Sequence, residues 1–318
     1  MNSNKTPFKL NFGLIAAALS LILLGTLVYI YVLVPGNKYK NAVSLVESGN
    51  YDEAIAVFTQ LGSYKDSEYK VKETTYKKAD SLYKNNEVIA AANIFNNLRF
   101  DDSEDRLKEI KAEMIKKASV GNTVLFGDYE QDGNFENGKE MIEWIVLDKQ
   151  EGSILVISKY GLDAQTFNPN EDEVYWENCS LRSWLNGRFP DNSFSRESPS
   201  DVLQTTLLNH KYPVTEETED VEDLILEEYE TRDRIFLLSS AELLEYYPDE
   251  STRRCDATEY AIENGVAASA DNSCSWWLRS PGNSRTTVEY VWDQYGSIAN
   301  SDQQLILAVR PAMWLKTD

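Results

Sequence analysis

Histidine is almost absent from this chain of 318 residues; the only one is His210. A metal site built from several imidazoles is therefore excluded, and a Ser–His–Asp triad would have to use that one residue. His210 ends a polar stretch read as a helix, where an exposed surface role is expected. Cysteine is nearly as scarce. Cys179, Cys255 and Cys274 form no CxxC pair, so the usual zinc spacing is missing. Outside a cell two of them could bridge and leave one thiol; three small buried thiols is the alternative. Positive charge is short as well: 31 Lys and Arg against 52 Asp and Glu give a net charge of −21. Such a surface repels phosphate backbones, which argues against nucleic acid as a partner. It keeps a surface soluble and is compatible with cations or basic partners.

One long stretch lacks charge altogether. Between Lys9 and Lys38 the only ionisable side chains are Tyr29 and Tyr31. Residues 12–34 are mostly apolar, and as a helix they reach about 35 Å against a hydrocarbon core of about 30 Å. The two tyrosines fall near the C-terminal end, where rings favour the interface. Pro35-Gly36 is expected to stop the helix. A cleaved signal peptide would carry a shorter apolar core followed by small residues. Here Ala16, Ala17 and Ala18 lie inside the run. The expectation is a short tail over 1–11 and an uncleaved transmembrane helix over 12–34. Lys5 and Lys9 before the run balance Lys38 and Lys40 after it. The free amino terminus tips the tail to the cytoplasmic side and puts the bulk of the chain outside.

The next stretch repeats. Offset by 37, Tyr39, Ala42, Leu45, Ala54, Phe58 and Leu61 fall on Tyr76, Ala79, Leu82, Ala91, Phe95 and Leu98. With one residue dropped, Asp66-Ser67-Glu68 falls on Asp102-Ser103-Glu104. Each unit reads as helix–turn–helix, with small alanines for close helix approach and large Phe and Leu beside them. The stretch "SGNYDEAIAVFTQL" resembles a tetratricopeptide repeat (TPR), although "SYKDS" stands where the usual proline would end the second helix. Residues 38–119 are expected to form a TPR-like stalk. It would either bind peptide in a concave face or act as a spacer that lifts the next domain off the membrane.

From residue 120 the pattern changes. Strands are expected over 123–126, 142–147 and 153–160, the last two forming a hairpin. Short helices are expected over 181–186, capped by Ser180, over 202–210, 241–247 and 257–265, with a buried strand over 234–239. The end is β again, over 276–280, 287–300 and 305–315. Strands at both ends with short helices between them argue for one α+β domain over 120–318.

The strings "VLFGDYEQDG", "SILVISKYGLDAQTFN", "WENCSLRSWLNGRF", "CDATEYA", "WWLRSPG" and "AVRPAMWL" together make residues 121–315 similar to the DUF6273 family, a bacterial domain of unknown function. The closing pair "WWLRSPG" and "VRPA" also resembles the end of the C-type lectin-like fold shared with sulfatase-modifying-factor domains. Val309 replaces the usual aromatic before Arg310. The fold class that follows is multidomain: one N-terminal transmembrane helix, all-α TPR-like helical hairpins, then an α+β C-type lectin-like domain.

The candidate ligand-binding residues are Trp277, Arg279, Trp292, Tyr295 and Arg310, with Trp276 beside them. On a strand, Trp277 and Arg279 share one face and Trp276 the other, so one indole can serve a surface and the other the core. Indoles stack on sugars or apolar faces, and arginines pair with carboxylates. The alternative is that all of them build the core. No cofactor is called for, and no catalytic residue is assigned. The loop "NPNEDE" (168–173) has oxygen ligands for Ca²⁺ but lacks EF-hand spacing, so a solvated loop is preferred. The acidic insertion 215–233 reads as an exposed flap. The preferred function is a non-enzymatic, membrane-anchored cell-surface module recognising an extracellular glycan, peptide or protein. A protein-modifying enzyme related to sulfatase-modifying factors and a scaffold acting through the helical repeats are the alternatives.

Overall fold

A computed structural model describes residues 12–170, 172–213 and 225–317. The tail over 1–11, residue 171 of the 168–173 loop, and residues 215–224 of the acidic insertion lie outside the described residues. The chain divides into two compact units, Met1–Lys108 and Glu109–Asp318.

In the first unit, helix α1 (Phe12–Val28) runs through a π-helical turn, Tyr29–Leu33, straight into α2 (Val34–Glu47). The expected stop at Pro35-Gly36 does not occur. Pro35 lies in the first turn of α2, where the π turn has already offset the hydrogen-bond ladder and a missing N–H costs little. The apolar side chains of α1 face outward, with Leu21 70% exposed, and the helix is long and apolar enough to cross a membrane.

Four more helices follow: α3 (Tyr51–Leu61), α4 (Ser67–Lys84), α5 (Val88–Asn97) and α6 (Ser103–Lys117). The expected repeat reappears as equivalent contacts. Ala54 and Phe58, like Ala91 and Phe95, are buried. Tyr39 meets Phe58 edge-on at 5.5 Å, and Tyr76 meets Phe95 edge-on at 5.2 Å. The Tyr39 hydroxyl donates to Asp66 at 2.5 Å, and the Tyr76 hydroxyl donates to Asp102 at 2.5 Å. The turn before α3 needs a left-handed residue, Gly49 (φ 80°); its equivalent before α5 is Asn86 (φ 66°), a side chain that tolerates that conformation.

The second unit is β-rich. Its strands are β1 (Thr123–Tyr129), β2 (Glu140–Gln150), β3 (Ser153–Ser158) and β4 (Asp163–Gln165), followed by helices α7 (Ser180–Leu185) and α8 (Arg188–Ser193). Then come β5 (Val202–Leu203), β6 (Thr205–Lys211), β7 (Glu227–Asp233), β8 (Ile235–Phe236) and α9 (Ser240–Tyr246). The chain ends with β9 (Cys255–Asp256), α10 (Glu259–Glu263), β10 (Ser273–Cys274), β11 (Trp276–Pro281), β12 (Thr287–Val291), β13 (Ile298–Asp302), β14 (Leu307–Val309) and β15 (Ala312–Lys316). One sheet has the order β1-β2-β3-β15-β5, with β8 also on β15; another has the order β13-β12-β11-β14-β4. The last strand thus lies against the early hairpin, Ala312 opposite Ile157, and "WWLRS" lies beside "AVR", Trp276 opposite Ala308. Between the sheets and helices one core buries Trp144, Trp176, Trp276 and Trp277.

Two expectations for local structure are corrected. Residues 202–210 are not a helix but strands β5 and β6, and β6 pairs antiparallel with β7, Leu207 opposite Thr231. Leu207 and Asn209 point inward and Thr206 and Leu208 outward, a period of two that the adjacent leucines disguised. His210 therefore lies in a strand, one residue before its end and 3.8 Å from Glu228, rather than at the end of a helix. Helix α7 is capped by Cys179, whose sulfur accepts the Arg182 N–H, and not by Ser180.

Candidate functional site

The expected ligand-binding residues do not come together on one open face. Strand β11 is paired on both edges, and packing covers both of its faces as well, so both indoles are fully buried, contrary to the expectation that one serves a surface. Trp277 donates Nε1–H to the Gln165 carbonyl at 2.9 Å and packs edge-on against Phe167 and Tyr290. Trp276 donates to the Arg253 carbonyl at 3.1 Å.

Arg279 is 4% exposed and its guanidinium is fully committed inside the domain. Nε donates to Asn209 Oδ1 at 2.9 Å, Nη1 to the Leu237 carbonyl at 2.7 Å and Nη2 to the Leu208 carbonyl at 3.3 Å. Both terminal nitrogens also grip the Glu242 carboxylate. Glu242 is itself fixed: it closes the capping box of α9 with Ser239. A buried cation with this set of partners holds β11, α9 and β6 together. Arg310 is also buried. It donates Nε–H to the Ser158 carbonyl at 2.8 Å and lies 5.0 Å over the Trp276 ring and 5.6 Å over Tyr247. Its Nη1 has no hydrogen-bond partner. Trp292 and Tyr295 are different. They stand exposed at the β12–β13 turn, edge-to-face at 5.1 Å. The turn tightens at Gly296, where a β-carbon would fall 1.9 Å from the Glu250 carbonyl oxygen.

The other expected chemistry is accounted for in the same way. All three cysteines are buried thiols. Burial pushes Cys179 up to about 12. Cys255 and Cys274 face each other across β9 and β10 with sulfurs 3.7 Å apart. Among the described residues of the 168–173 loop, the Asn170 and Asp172 carbonyls accept from the Gln303 side chain, and Glu173 pairs with Arg285 at 2.7 Å.

An open concavity lies elsewhere. A cleft of about 700 Å³ runs between the α7–α8 junction, the 194–199 loop and the start of β8. Its floor is apolar, from Pro190, Phe194, Val202 and Ile235. Phe194 can enter only because residue 127 is glycine at φ 70°; a β-carbon there would stand 2.4 Å from the Phe194 ring. Asn186 fixes one wall. Its amide donates to the Ile235 carbonyl at 2.8 Å, and its oxygen accepts the Arg234 and Ile235 N–H groups at 3.0 and 3.2 Å.

A shallower recess of about 290 Å³ shares Asn186 and Arg234 with this cleft and adds Arg182 and Arg232. Arg182 is held by Asp233 at 2.7 Å and by the Glu177 carbonyl. Arg232 and Arg234 are exposed, and Arg234 reaches the Pro199 carbonyl at 3.1 Å. Arg234 lines the cleft and the recess alike, while Arg182 and Arg232 line the recess; Asp191 and Glu197 also line the cleft and Asp233 neutralises Arg182, so the exposed Arg232 and Arg234 are the groups open to an anion. Sequence reading missed the three arginines because Arg232 falls in the acidic stretch 215–233 taken for a flap, Arg234 opens the strand read over 234–239 and Arg182 sits in the short helix 181–186. The signal present was the alternation of Arg232 and Arg234 around a buried Asp233, which puts both arginines on one face.

The family described as a domain of unknown function, DUF6273, matches residues 151–317. The match covers the cleft and leaves β1 and β2 outside, although both share a sheet with β3. No curated protein and no solved structure matches the chain.

Proposed function

We propose a binding function for this chain, which belongs to the DUF6273 family of domains of unknown function: a membrane-anchored module whose C-terminal domain captures an acidic ligand at the arginine-rimmed cleft. The observation that carries this reading is the pairing of an apolar floor with the exposed Arg234 on the cleft itself and the exposed Arg232 on the recess that adjoins it. Apolar surface supplies contact area, and planar guanidiniums pair with carboxylate, sulfate or phosphate groups. The ligand class is a glycan, peptide or protein bearing such groups. Trp292 and Tyr295 offer a second, aromatic contact on which a sugar ring can stack.

The finer readings belong to the same proposal. Helix α1 is the single transmembrane anchor, and the bulk of the chain lies outside the cell. The paired helices, with their duplicated Tyr–Phe and Tyr–Asp contacts, are a TPR-like spacer. The C-terminal domain is C-type lectin-like, a reading supported by its last strand lying beside its early hairpin.

The test uses the full chain in detergent micelles on arrays of acidic and neutral glycans and peptides. Acidic ligands are expected to bind, and Arg232→Ala with Arg234→Ala is expected to weaken them at least tenfold with unchanged circular dichroism. Binding unaffected by the double substitution removes the cleft from the proposal. Protease treatment of intact cells should release the C-terminal domain; protection until lysis would reverse the orientation.

A further inference from the structure

The loop between β1 and β2 gathers acids that no side-chain cation among the described residues pairs with. Glu130, Asp132 and Glu140 each direct one carboxylate oxygen into a group whose members lie within 4.8 Å of one another. Glu130 is 5% exposed, and its Oε1 is buried without a hydrogen-bond partner. An unpaired buried carboxylate oxygen is costly, and a second carboxylate beside it adds to the cost. Burial first, and then the charge of Glu140, holds Glu130 above the usual carboxylate range. The one lysine of the loop, Lys139, turns away and donates to the Asn192 carbonyl at 2.5 Å.

The rest of the loop is tied down around this group. Asp132 accepts from the Asn134 N–H at 2.8 Å and from the Asn137 amide at 2.7 Å. Glu140 accepts the Gln131 N–H at 2.8 Å. Gly133 (φ 72°) lies so close under the Glu263 carboxylate that a β-carbon would fall 2.5 Å from Oε2, which brings a fourth acid to the loop.

We propose that Glu130, Asp132 and Glu140 form a divalent-cation site of the Ca²⁺ class. The donors are oxygens alone, with no imidazole or thiolate, which selects hard cations. Oxygens within 4.8 Å of one another can be bridged by one Ca²⁺ with bonds of about 2.4 Å, and a partly exposed site of three carboxylates suits Ca²⁺, which accepts irregular geometry, better than Mg²⁺, which demands a near-ideal octahedron and dehydrates reluctantly. Water completes the coordination. Three carboxylates on a partly exposed loop place the affinity near the weak end, with Kd on the order of 10⁻⁴ M. The site uses none of the residues of the arginine-rimmed cleft, so the failure of either leaves the other standing.

The experiment is a titration of Ca²⁺ alone, by calorimetry and by thermal melting, into the full chain in micelles at physiological salt. One saturable site and a higher Tm are expected, with Mg²⁺ at least tenfold weaker. Glu130→Gln should abolish the Ca²⁺-dependent rise while leaving the metal-free Tm unchanged or higher, because it removes a buried, repelled charge. Asp132→Asn, at a more exposed position, should weaken Ca²⁺ at least tenfold and guards against a folding defect in the first variant. The double variant Glu227→Gln, Glu228→Gln removes charge from β7 and should keep the full response. An equal loss in that control would mean diffuse counter-ion binding and would overturn the site. So would a Ca²⁺ response retained by both Glu130→Gln and Asp132→Asn.

Discussion

In the helical unit, which ends at Lys108 within α6, the contacts come in duplicate, and among its described residues no charged side chain is buried; Ser67, Thr74 and Ser103 are its buried polar groups. Its ion pairs, such as Lys78–Asp52 and Lys70–Glu73, lie at or near the surface. In the C-terminal domain Arg253, Arg279, Arg310, Asp163 and Asp233 are all buried, and each has its own set of partners. The first unit is specified by the size and spacing of apolar residues, so small errors in its polar surface cost little. The second is specified by buried polar groups that depend on one another, so the loss of one partner leaves another stranded in the core.

The largest test of this contrast is Arg279→Ala. It strands Glu242 and the Asn209 side chain, and about 3–5 kcal/mol should be lost from the C-terminal domain. Circular dichroism of the full chain should show the β-rich transition moved far down while the helical signal persists. An unchanged C-terminal transition would break the comparison. Next is Ala54→Trp, which overfills the approach of α3 to its neighbours and should cost the helical unit about 1–3 kcal/mol. The C-terminal transition should not move.

Smaller effects follow from the duplicated hydrogen bonds. Tyr39→Phe and Tyr76→Phe each remove one Tyr–Asp bond and should cost roughly 0.5–1.5 kcal/mol, by similar amounts, in chemical denaturation. Costs that differ severalfold would mean that the repeats are equivalent in geometry only.

The smallest effect is on pH dependence, and its sign differs between the units. Asp163 and Glu289 in the C-terminal domain are raised by burial. Their contribution is greatest where they are protonated and is lost as pH rises from about 4 through their folded values. In the helical unit Asp66 is lowered by the Tyr39 hydroxyl and Glu73 by Lys70. Their contribution is present above about 4 and is lost as pH falls below it. Moving from pH 7 to 5 should therefore raise the C-terminal melting temperature relative to the helical one. Moving from pH 5 to 3 should lower the helical transition. Parallel shifts over both ranges would show that overall charge, not these groups, sets the response.

The same contrast decides what could be read from the residues beforehand. Ala42, Ala54, Phe58 and their equivalents were legible because a helical period and a repeat both pointed to them. The outer strands of the C-terminal domain were legible by alternation or by the turn glycines flanking them. The strand Thr205–Lys211 was not, since Leu207 and Leu208 suit either element and its partner β7 lies beyond an intervening acidic stretch. Nor could the fate of Arg279 be read, because Glu242 and Asn209 are brought to it only by tertiary pairing. The cleft arginines shared that difficulty: Arg182 and Arg234 converge from α7 and from the end of β7, and spacing along the chain does not reveal it.

The unbroken path from Phe12 through the π turn to Glu47 has a mechanical consequence. Without a hinge, the apolar segment and the first repeat helix turn as one shaft. Tyr64 clasps the junction, its hydroxyl 3.5 Å from the Val32 carbonyl and close above Gly36, where a β-carbon would stand 3.3 Å away. In a bilayer, the azimuth at which the helix pairs face along the membrane is then set by residue count. One residue added between Val28 and Pro35 would rotate them by about 100° and raise them by about 1.5 Å. Tilt or torsion applied to the apolar end would reach Tyr39 and Phe58 as rotation of the shaft, instead of being dissipated in a break of the helix.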